Sequence, residues 1–272
     1  MKVSINGQET YAYTGGKAWL ANQPTAIFIH GVLGDHSVWA LQSRFIANHG
    51  WNVLAVDLPG QSRSAGEAPS SVEAGADFIA ALMQALGLEE AALIGHSWGS
   101  LIALEAAAKL QARVSHLVLV GTAFPMCVTP ALLEATQSDT AGAIKTVNQF
   151  SHSLLAPPPS GLGPGTWVKG AALALNRRVL ASNAGVNLLH RGFVACDSYK
   201  NGHKAIAQIT CPVLMILGSA DQMTPPQSAQ GLYATARDAG KDVQSCLLDA
   251  GHSLMTEAPD ATLGAMYDFL KR

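Results

Sequence analysis

Continuous apolar runs alternate with longer helical stretches along most of this chain, and this rhythm restricts the fold more than any other feature. Runs without polar alternation are typical of parallel strands that helices cover on both faces. Such runs occupy residues 25–30, 53–57, 91–95, 117–121 and 213–218, and residues 243–249 form a further predicted strand. Helical patterns occupy residues 36–49, 71–86, 98–110, 226–239 and 258–271. The alternation predicts an α/β fold with a mostly parallel, doubly wound sheet, and residues 3–13 are expected to form an antiparallel ribbon at its edge.

One long segment interrupts the rhythm. About ninety residues separate the strand that ends near Gly121 from the one that starts at Val213, too many for a single crossover. Residues 156–165 are rich in proline and glycine and predict a loop, whereas 131–155 and 167–205 look helical. We interpret the segment as a helical lid over the carboxyl edge of the sheet. The predicted domains are therefore a core of residues 1–122 and 208–272, and a lid of residues 123–207.

Composition narrows the possible partners of the protein. Of the 272 residues, 49% are apolar and only 13% are charged, with a formal net charge of −2. These values indicate a large buried core and argue against binding to nucleic acid or an anionic membrane, so the expected partner is a small molecule. The four cysteines are scattered and no histidine stands at metal-ligand spacing, so we expect no metal and no cofactor. No signal peptide or membrane-length apolar run is evident, which predicts a cytoplasmic protein; the oligomeric state stays open.

The stretch Gly95-His96-Ser97-Trp98-Gly99 fits the pattern G-x-S-x-G between a predicted strand and a predicted helix. At such a turn, the two glycines avoid steric clashes and allow the serine hydroxyl to project above the sheet as a nucleophile. The alternative is that Ser97 only caps the helix that follows. Because a serine hydroxyl is a poor nucleophile at neutral pH, the first interpretation requires a nearby base.

His252 is the histidine best placed to be that base. It lies between the last predicted strand and the last helix, at the same carboxyl edge as Ser97. His30 also ends a strand, but it opens the turn HGVLG and is expected to make structural hydrogen bonds there. His96, inside the serine motif, is expected to point away from Ser97. The remaining histidines fall in helices, in the lid or at the opposite edge.

Asp221 is the acid predicted to orient His252. It follows a buried strand directly, in LGSADQMTPP, again at the carboxyl edge. Asp57 is expected to hold a loop instead, and Asp249 is expected to face away from His252 although it lies three residues from it. The chain order is then serine, aspartate and histidine, which is the order that a hydrolase triad of this type requires.

The turn after the first buried strand, His30 to Gly34, predicts an oxyanion hole. The backbone N–H of Val32, together with that of Trp98 just after the serine, is expected to stabilise a developing negative charge on the substrate. Substrate-pocket candidates are large apolar side chains near the predicted edge and lid. They are Trp39, Phe124, Met126 and Trp167.

Together these motifs resemble the α/β-hydrolase fold superfamily over nearly the whole chain. The segments that carry the resemblance are HGVLGDHSVW, VDLPGQSRS, GHSWGS, LGSADQMTPP and GHSLMTEAP. Within the superfamily the chain is similar to lid-bearing, cofactor-free bacterial esterases, lactonases, C–C bond hydrolases and perhydrolases. The resemblance implies acyl transfer through a covalent acyl-serine and a lid that is inserted after the sixth strand.

Departures from particular families narrow this resemblance. Ser97 stands where haloalkane dehalogenases and epoxide hydrolases carry aspartate, and HGVLG differs from the HGGPG of proline iminopeptidases. Trp98 and Ser100 differ from the residues usual in C–C bond hydrolases. The prediction is therefore a serine carboxylic ester hydrolase. C–C bond hydrolase, lactonase and perhydrolase activities remain alternatives, as does a ligand-sensing protein on a hydrolase scaffold.

Overall fold

The computed structural model describes residues 1–153 and 167–272, which form an eight-stranded, mostly parallel sheet. The strands are β1 (Lys2–Ile5), β2 (Gln8–Tyr13), β3 (Thr25–Ile29), β4 (Asn52–Val56), β5 (Ala91–His96), β6 (Val114–Val120), β7 (Val213–Gly218) and β8 (Val243–Leu248). Their order across the sheet is β1-β2-β4-β3-β5-β6-β7-β8, with parallel pairing from β4 to β8. The predicted doubly wound sheet is confirmed.

The helices lie on both faces of the sheet and in one long connection. They are α1 (Ala40–Ala47), α2 (Val72–Ala85), α3 (Trp98–Leu110), α4 (Pro130–Ser138), α5 (Thr140–Phe150), α6 (Val168–Ala181), α7 (Leu188–Ser198), α8 (Gly202–Gln208), α9 (Gln230–Asp238), α10 (Leu254–Glu257) and α11 (Pro259–Leu270). Helices α2, α3, α8 and α9 contribute to the hydrophobic core on one face, and α1, α10 and α11 to the core on the other. None of the helices described in residues 1–153 and 167–272 combines the length and the apolar character needed to cross a bilayer.

The continuous apolar runs of the central strands reflect burial on both faces. In β3, Ile27 and Ile29 belong to one core, and Ala26 and Phe28 belong to the other. Every residue of β3 is buried, and the four side chains from Ala26 to Ile29 are apolar, as expected for a strand covered on both faces. The same reasoning applies to β4, β5 and β7, whose residues are all buried.

An antiparallel hairpin forms the amino-terminal edge of the sheet, as predicted. β1 pairs with β2 in the register Lys2 to Tyr11, and β2 continues antiparallel against β4. The hairpin turns at Asn6 and Gly7, which both have positive φ, 49° and 77°. Two such residues are typical of the type I′ turn, whose twist matches that of the flanking strands.

The connection between β6 and β7 contains α4 to α8. A third hydrophobic cluster joins it to the core: Ile144 of α5, Val179 of α6 and Phe193 of α7 pack with Leu33 of the loop that follows β3. The predicted loop at 156–165 lies outside the described residues. The assignment of 123–207 as a separate lid, against a core of 1–122 and 208–272, stays a prediction.

Candidate active site

Ser97 occupies a strained turn between β5 and α3. Its φ of 55° and ψ of −123° lie in a region that residues other than glycine rarely adopt. A side chain at Gly95 would overlap the Gly99 carbonyl, and one at Gly99 would overlap the carbonyl of Ile29. Ser97 stands at the N-cap position of α3, but its side chain makes no capping hydrogen bond. This turn therefore does not support the interpretation of Ser97 as a simple helix cap.

Asp221 and His252 meet at the carboxyl ends of β7 and β8. His252 Nδ1 donates a hydrogen bond to Asp221 Oδ2 over 2.8 Å, and both side chains are buried. The other carboxylate oxygen of Asp221, Oδ1, accepts from the backbone N–H groups of Met223 and Thr224, each at 2.8 Å. These bonds fix the carboxylate plane and leave Oδ2 for the imidazole. Asp221 and His252, which were paired in the sequence analysis because of their positions, are adjacent in the structure.

The hydroxyl of Thr224 is a further member of this cluster, and the sequence analysis missed it. Its Oγ1 lies 2.7 Å from Asp221 Oδ2, 2.9 Å from His252 Nδ1 and 3.0 Å from the carbonyl oxygen of Gly121. The His252 Nδ1–H is thus shared between a carboxylate and a hydroxyl oxygen. The sequence does contain a signal for this contact, the threonine three residues after the aspartate in DQMT. Threonine hydroxyls in turns often form hydrogen bonds with groups a few residues away.

The Asp221 carboxylate is stabilised in its ionised form. Burial opposes ionisation, but the nearby His252 charge and the hydrogen bonds from His252 and Thr224 outweigh it and lower the pKa of the Asp221 carboxyl. An ionised Asp221 accepts the His252 Nδ1–H, which leaves His252 Nε2 without the proton of the neutral ring. The geometry thus prepares Nε2 to accept a proton.

His96 lies against His252, a contact that the sequence analysis did not predict. The two ring centroids are 4.7 Å apart, and His96 Nε2 donates to the His252 backbone oxygen over 2.9 Å. Burial first, and the charge on His252 second, lower the pKa of His96 to about 3. His96 is therefore neutral at physiological pH and adds no positive charge beside His252.

Acid pH should destabilise the fold through His96. In the unfolded chain a histidine binds its proton near pH 6.5, whereas in the folded protein His96 binds it only near pH 3, so stability is complete above pH 6.5 and declines as the pH falls towards 3. Lowering the pH from 7 to 5 should cost about 2 kcal/mol of unfolding free energy through this residue alone. Urea unfolding of wild type and His96→Gln at both pH values measures it. Equal losses in the two proteins would contradict the assignment.

The turn after β3 lies beside Ser97. A Cβ placed on Gly31 would be 3.1 Å from the Cβ of Ser97, so the turn backbone approaches the serine closely. His30 holds the turn by donating from Nδ1 to the Gly31 oxygen over 2.8 Å and by accepting the Leu58 N–H at Nε2 over 3.1 Å. The expected structural role of His30 is confirmed.

The two backbone N–H groups predicted to form an oxyanion hole are free to bind a ligand. In residues 1–153 and 167–272, the N–H of Val32 donates to no acceptor. Trp98 is the first residue of α3, and N–H groups in the first turn of a helix have no acceptor within the helix. The helix dipole adds partial positive charge at that end. The arrangement is suited to a negatively charged oxygen above Ser97.

A cavity of about 500 Å³ opens above these groups. Ser97, His252 and Val32 contribute to one side of it. Side chains from the β6–β7 connection form much of the opposite side, and they are mainly apolar: Val147, Val168, Ala171, Ala172, Ala174, Leu175 and Phe193. The cavity is large enough for a small organic substrate.

The four side chains predicted to form the pocket lie outside the cavity that the described residues enclose. Trp39 is completely buried against Phe28, with ring centroids 5.3 Å apart. Phe124 and Met126 belong to the hydrophobic core around α3, α8 and α9, and Trp167 is 69% exposed. None of the four lines the cavity that the described residues enclose. They were predicted to line the pocket because they are large and apolar. Trp39, Phe124 and Met126 pack into the core instead, and Trp167 is exposed.

Asp57, which the sequence analysis set aside as a triad member, is engaged elsewhere, and so is its neighbour Asp35. Asp57 Oδ1 accepts the His36 N–H over 2.8 Å and Oδ2 accepts the Arg63 N–H over 3.2 Å, so Asp57 holds the loop as expected. Asp35, His36 and Asp57 come close enough to resemble a metal-ligand group. However, protein donors already occupy their carboxylate oxygens, including the Arg178 guanidinium on Asp35, and this donor set does not fit a cation site.

Comparisons with known proteins agree with the fold. The model of the alpha/beta hydrolase fold family matches residues 24–259. A protein from a Caulobacter species that is named "putative carbamate hydrolase RutD" is 28% identical over 94% of this chain and 93% of its own length. A bifunctional esterase/perhydrolase from Acinetobacter calcoaceticus is 29% identical, covering 74% of this chain and 76% of that protein. The solved enol-lactonase from Burkholderia xenovorans is similar in structure, with a TM-score of 0.81 at 20% identity over 100% of both chains.

Proposed function

The chain belongs to the alpha/beta hydrolase fold family, and we propose that it is a serine hydrolase that cleaves a small-molecule carboxylic ester through an acyl-serine intermediate. Its relatives and structural neighbours support hydrolase activity. The observation that carries the finer proposal is the buried hydrogen bond between His252 and Asp221 at the cavity in which Ser97 occupies its strained turn.

In the first half of the reaction, Ser97 attacks the ester carbonyl carbon. His252 Nε2 accepts the proton of the Ser97 hydroxyl, while Asp221 and Thr224 hold Nδ1–H and stabilise the imidazolium that forms. Breakdown of the tetrahedral intermediate breaks the bond between the carbonyl carbon and the alcohol oxygen. His252 returns its proton to that oxygen, the alcohol leaves, and Ser97 remains acylated.

The tetrahedral intermediate carries a negative charge on the former carbonyl oxygen. The N–H groups of Val32 and Trp98 stabilise this charge, and removing one such donor from a site of this kind typically lowers the rate by about 10²- to 10³-fold. Because the donors are backbone groups that are already in place, no reorganisation accompanies the step. The second half of the reaction repeats the first with water, which His252 activates to release the acid and restore Ser97.

An uncharged ester is the substrate class that we propose, and the lining of the cavity is compatible with it. The cavity wall is mostly apolar, and the Arg178 guanidinium is paired with Asp35, so an uncharged acyl group fits better than an anionic one. The proteins that this chain resembles are named as an esterase/perhydrolase, a putative carbamate hydrolase and an enol-lactonase. A panel of p-nitrophenyl esters, lactones, ring-cleavage dienones, carbamates, and acetate with peroxide tests the ester assignment against the related chemistries.

Labelling with a fluorophosphonate tests the proposed nucleophile. These reagents phosphonylate activated serines, so wild-type protein should incorporate one equivalent, and peptide mapping should place it on Ser97. His252→Ala should slow labelling by roughly 10³-fold or more because the base is missing. No labelling, or labelling on a different serine, would reject the proposal. Rapid labelling without turnover of any ester in the panel would favour the ligand-sensing alternative.

A further inference from the structure

The turn that carries Val32 is held from outside by the β6–β7 connection. Asn176, on α6, donates from Nδ2 to the backbone oxygen of Leu33 over 2.9 Å. Leu33 is almost completely buried and lies between Val32 and Gly34 in the turn. The Asn176 amide is thus a direct polar link between the inserted helix and the turn that carries the proposed oxyanion donor, and Asn176 also lines the cavity.

Hydrogen bonds determine which way the Asn176 side-chain amide is turned, because Asn176 is linked to a second amide, that of Asn148. Asn148, on α5, donates from Nδ2 to the Ile144 backbone oxygen over 3.0 Å and to Asn176 Oδ1 over 2.6 Å. Backbone oxygens only accept, so Asn148 must present its nitrogen to Ile144, and Asn176 must present its nitrogen to Leu33. Reversing either amide would break a bond, which leaves one satisfied arrangement of the pair.

The turn needs such support because Leu33 has an unfavourable backbone conformation. Its φ is 53°, and the Gly34 N–H donates to the Gly31 oxygen over 3.1 Å, so Leu33 is the third residue of a turn with positive φ at that position. Turns of this kind favour glycine there, and a leucine persists only when surrounding contacts enforce it. Relaxation of Leu33 to negative φ would move the Gly34 N–H away from the Gly31 oxygen. That oxygen belongs to the same peptide unit as the Val32 N–H, so the relaxation would loosen the unit that carries the oxyanion donor.

We propose that Asn176 is a positioning residue that holds the oxyanion turn in its competent conformation, so that the docked α6 helix is part of the catalytic apparatus. The proposal rests on the proposed function, because it gives the Val32 N–H its role. It assigns to the inserted helices a second task beyond enclosing the substrate. The helix carries the group that aims the donor, and catalysis then depends on α6 remaining in contact with the turn.

Two substitutions of Asn176 test the proposal. Asn176→Ala removes the donor, whereas Asn176→Asp keeps the size but directs a carboxylate oxygen at the Leu33 carbonyl. We expect kcat for a p-nitrophenyl ester to fall roughly 10- to 100-fold in both variants, somewhat less than the loss of a whole oxyanion donor, with KM within about threefold of wild type. The rate of fluorophosphonate labelling at Ser97 should fall in parallel. Thermal unfolding midpoints report any general loss of folding.

Asn183 supplies the matched control. It also donates from the β6–β7 connection to a core backbone carbonyl, that of Gly60, over 3.0 Å, but Gly60 is not part of the turn. Asn183→Asp and Asn183→Ala should keep the wild-type kcat. Wild-type kcat in Asn176→Asp would mean that Asn176 only fills space, and equal losses at 176 and 183 would mean that docking in general matters; either result overturns the proposal. Failure of wild type to label at Ser97 would instead reject the proposed function.

Discussion

Replacing Ser97 with alanine is expected to lower kcat for a short p-nitrophenyl ester by roughly 10⁵-fold or more, the largest effect of any single substitution in this chain. The variant keeps Asp221, His252 and both backbone donors, but no atom remains that can form the acyl-enzyme. Steady-state hydrolysis measured at enzyme concentrations high enough to detect the residual rate gives the size of the loss. KM and the thermal unfolding midpoint should change little, because the Ser97 side chain makes no hydrogen bond within the described residues.

Ser253 provides a control for this substitution. It follows His252 directly and lines the same cavity, yet no catalytic step uses its hydroxyl. Ser253→Ala should therefore retain kcat within about fivefold of wild type, well inside the range of substitutions that remove no transition-state contact. Full turnover by Ser97→Ala, or a comparable loss in Ser253→Ala, would mean that the nucleophile has been misassigned.

The strands of the sheet could be predicted because burial on both faces produces a continuous run of apolar residues in the sequence. The central part of a strand such as β3, Ala26 to Ile29, is apolar at every position, and this continuous run marks the strand in the sequence. The start of β6 was missed for the complementary reason. Its first residues include Ser115 and His116, which are only half-buried, so the strand begins at Val114 rather than at 117 as predicted.

The proposed catalytic residues were predictable from position alone, whereas the cavity was not. Parallel strands bring their carboxyl ends to one edge, so residues that follow β5, β7 and β8 must approach each other whatever the loop details. The cavity wall depends on how α5 and α6 pack across that edge. Val147 and Leu175, which line the cavity, cannot be distinguished in the sequence from ordinary apolar core residues. Trp39, a large aromatic residue that was predicted to line the pocket, is buried in the core instead.

His96 and Thr224 show a second limit of reasoning from sequence. Each acts through a short hydrogen bond to His252, and each bond depends on the rotamer of a side chain between two elements that are distant in the chain. A residue pattern can place a side chain at an edge, but it does not fix the direction of a hydroxyl or an imidazole there. Such partners can be assigned only once the backbone around the site is known.

Replacing Asp221 with asparagine should lower kcat by about 10⁴-fold, because it reverses the tautomer of His252. The N–H groups of Met223 and Thr224 require an acceptor, so the amide oxygen must take the place of Oδ1. The amide nitrogen then occupies the place of Oδ2, 2.8 Å from His252 Nδ1, and donates to it. With Nδ1 accepting, the neutral ring carries its proton on Nε2 and can no longer take the proton from Ser97.

The control for this substitution is Asp249, the other acid close to His252 in the sequence. Asp249 accepts only a weak bond from Ser219, over 3.3 Å, at an exposed position, so Asp249→Asn should keep kcat within about twofold. Proton NMR of the imidazole N–H signals is a second test, because it reports which ring nitrogen of His252 carries the proton. Asp221→Asn should move that proton from Nδ1 to Nε2 while leaving the fold intact. Equal kinetic effects at 221 and 249, or an unchanged tautomer in Asp221→Asn, would remove Asp221 from the mechanism and leave Thr224 as the group that orients His252.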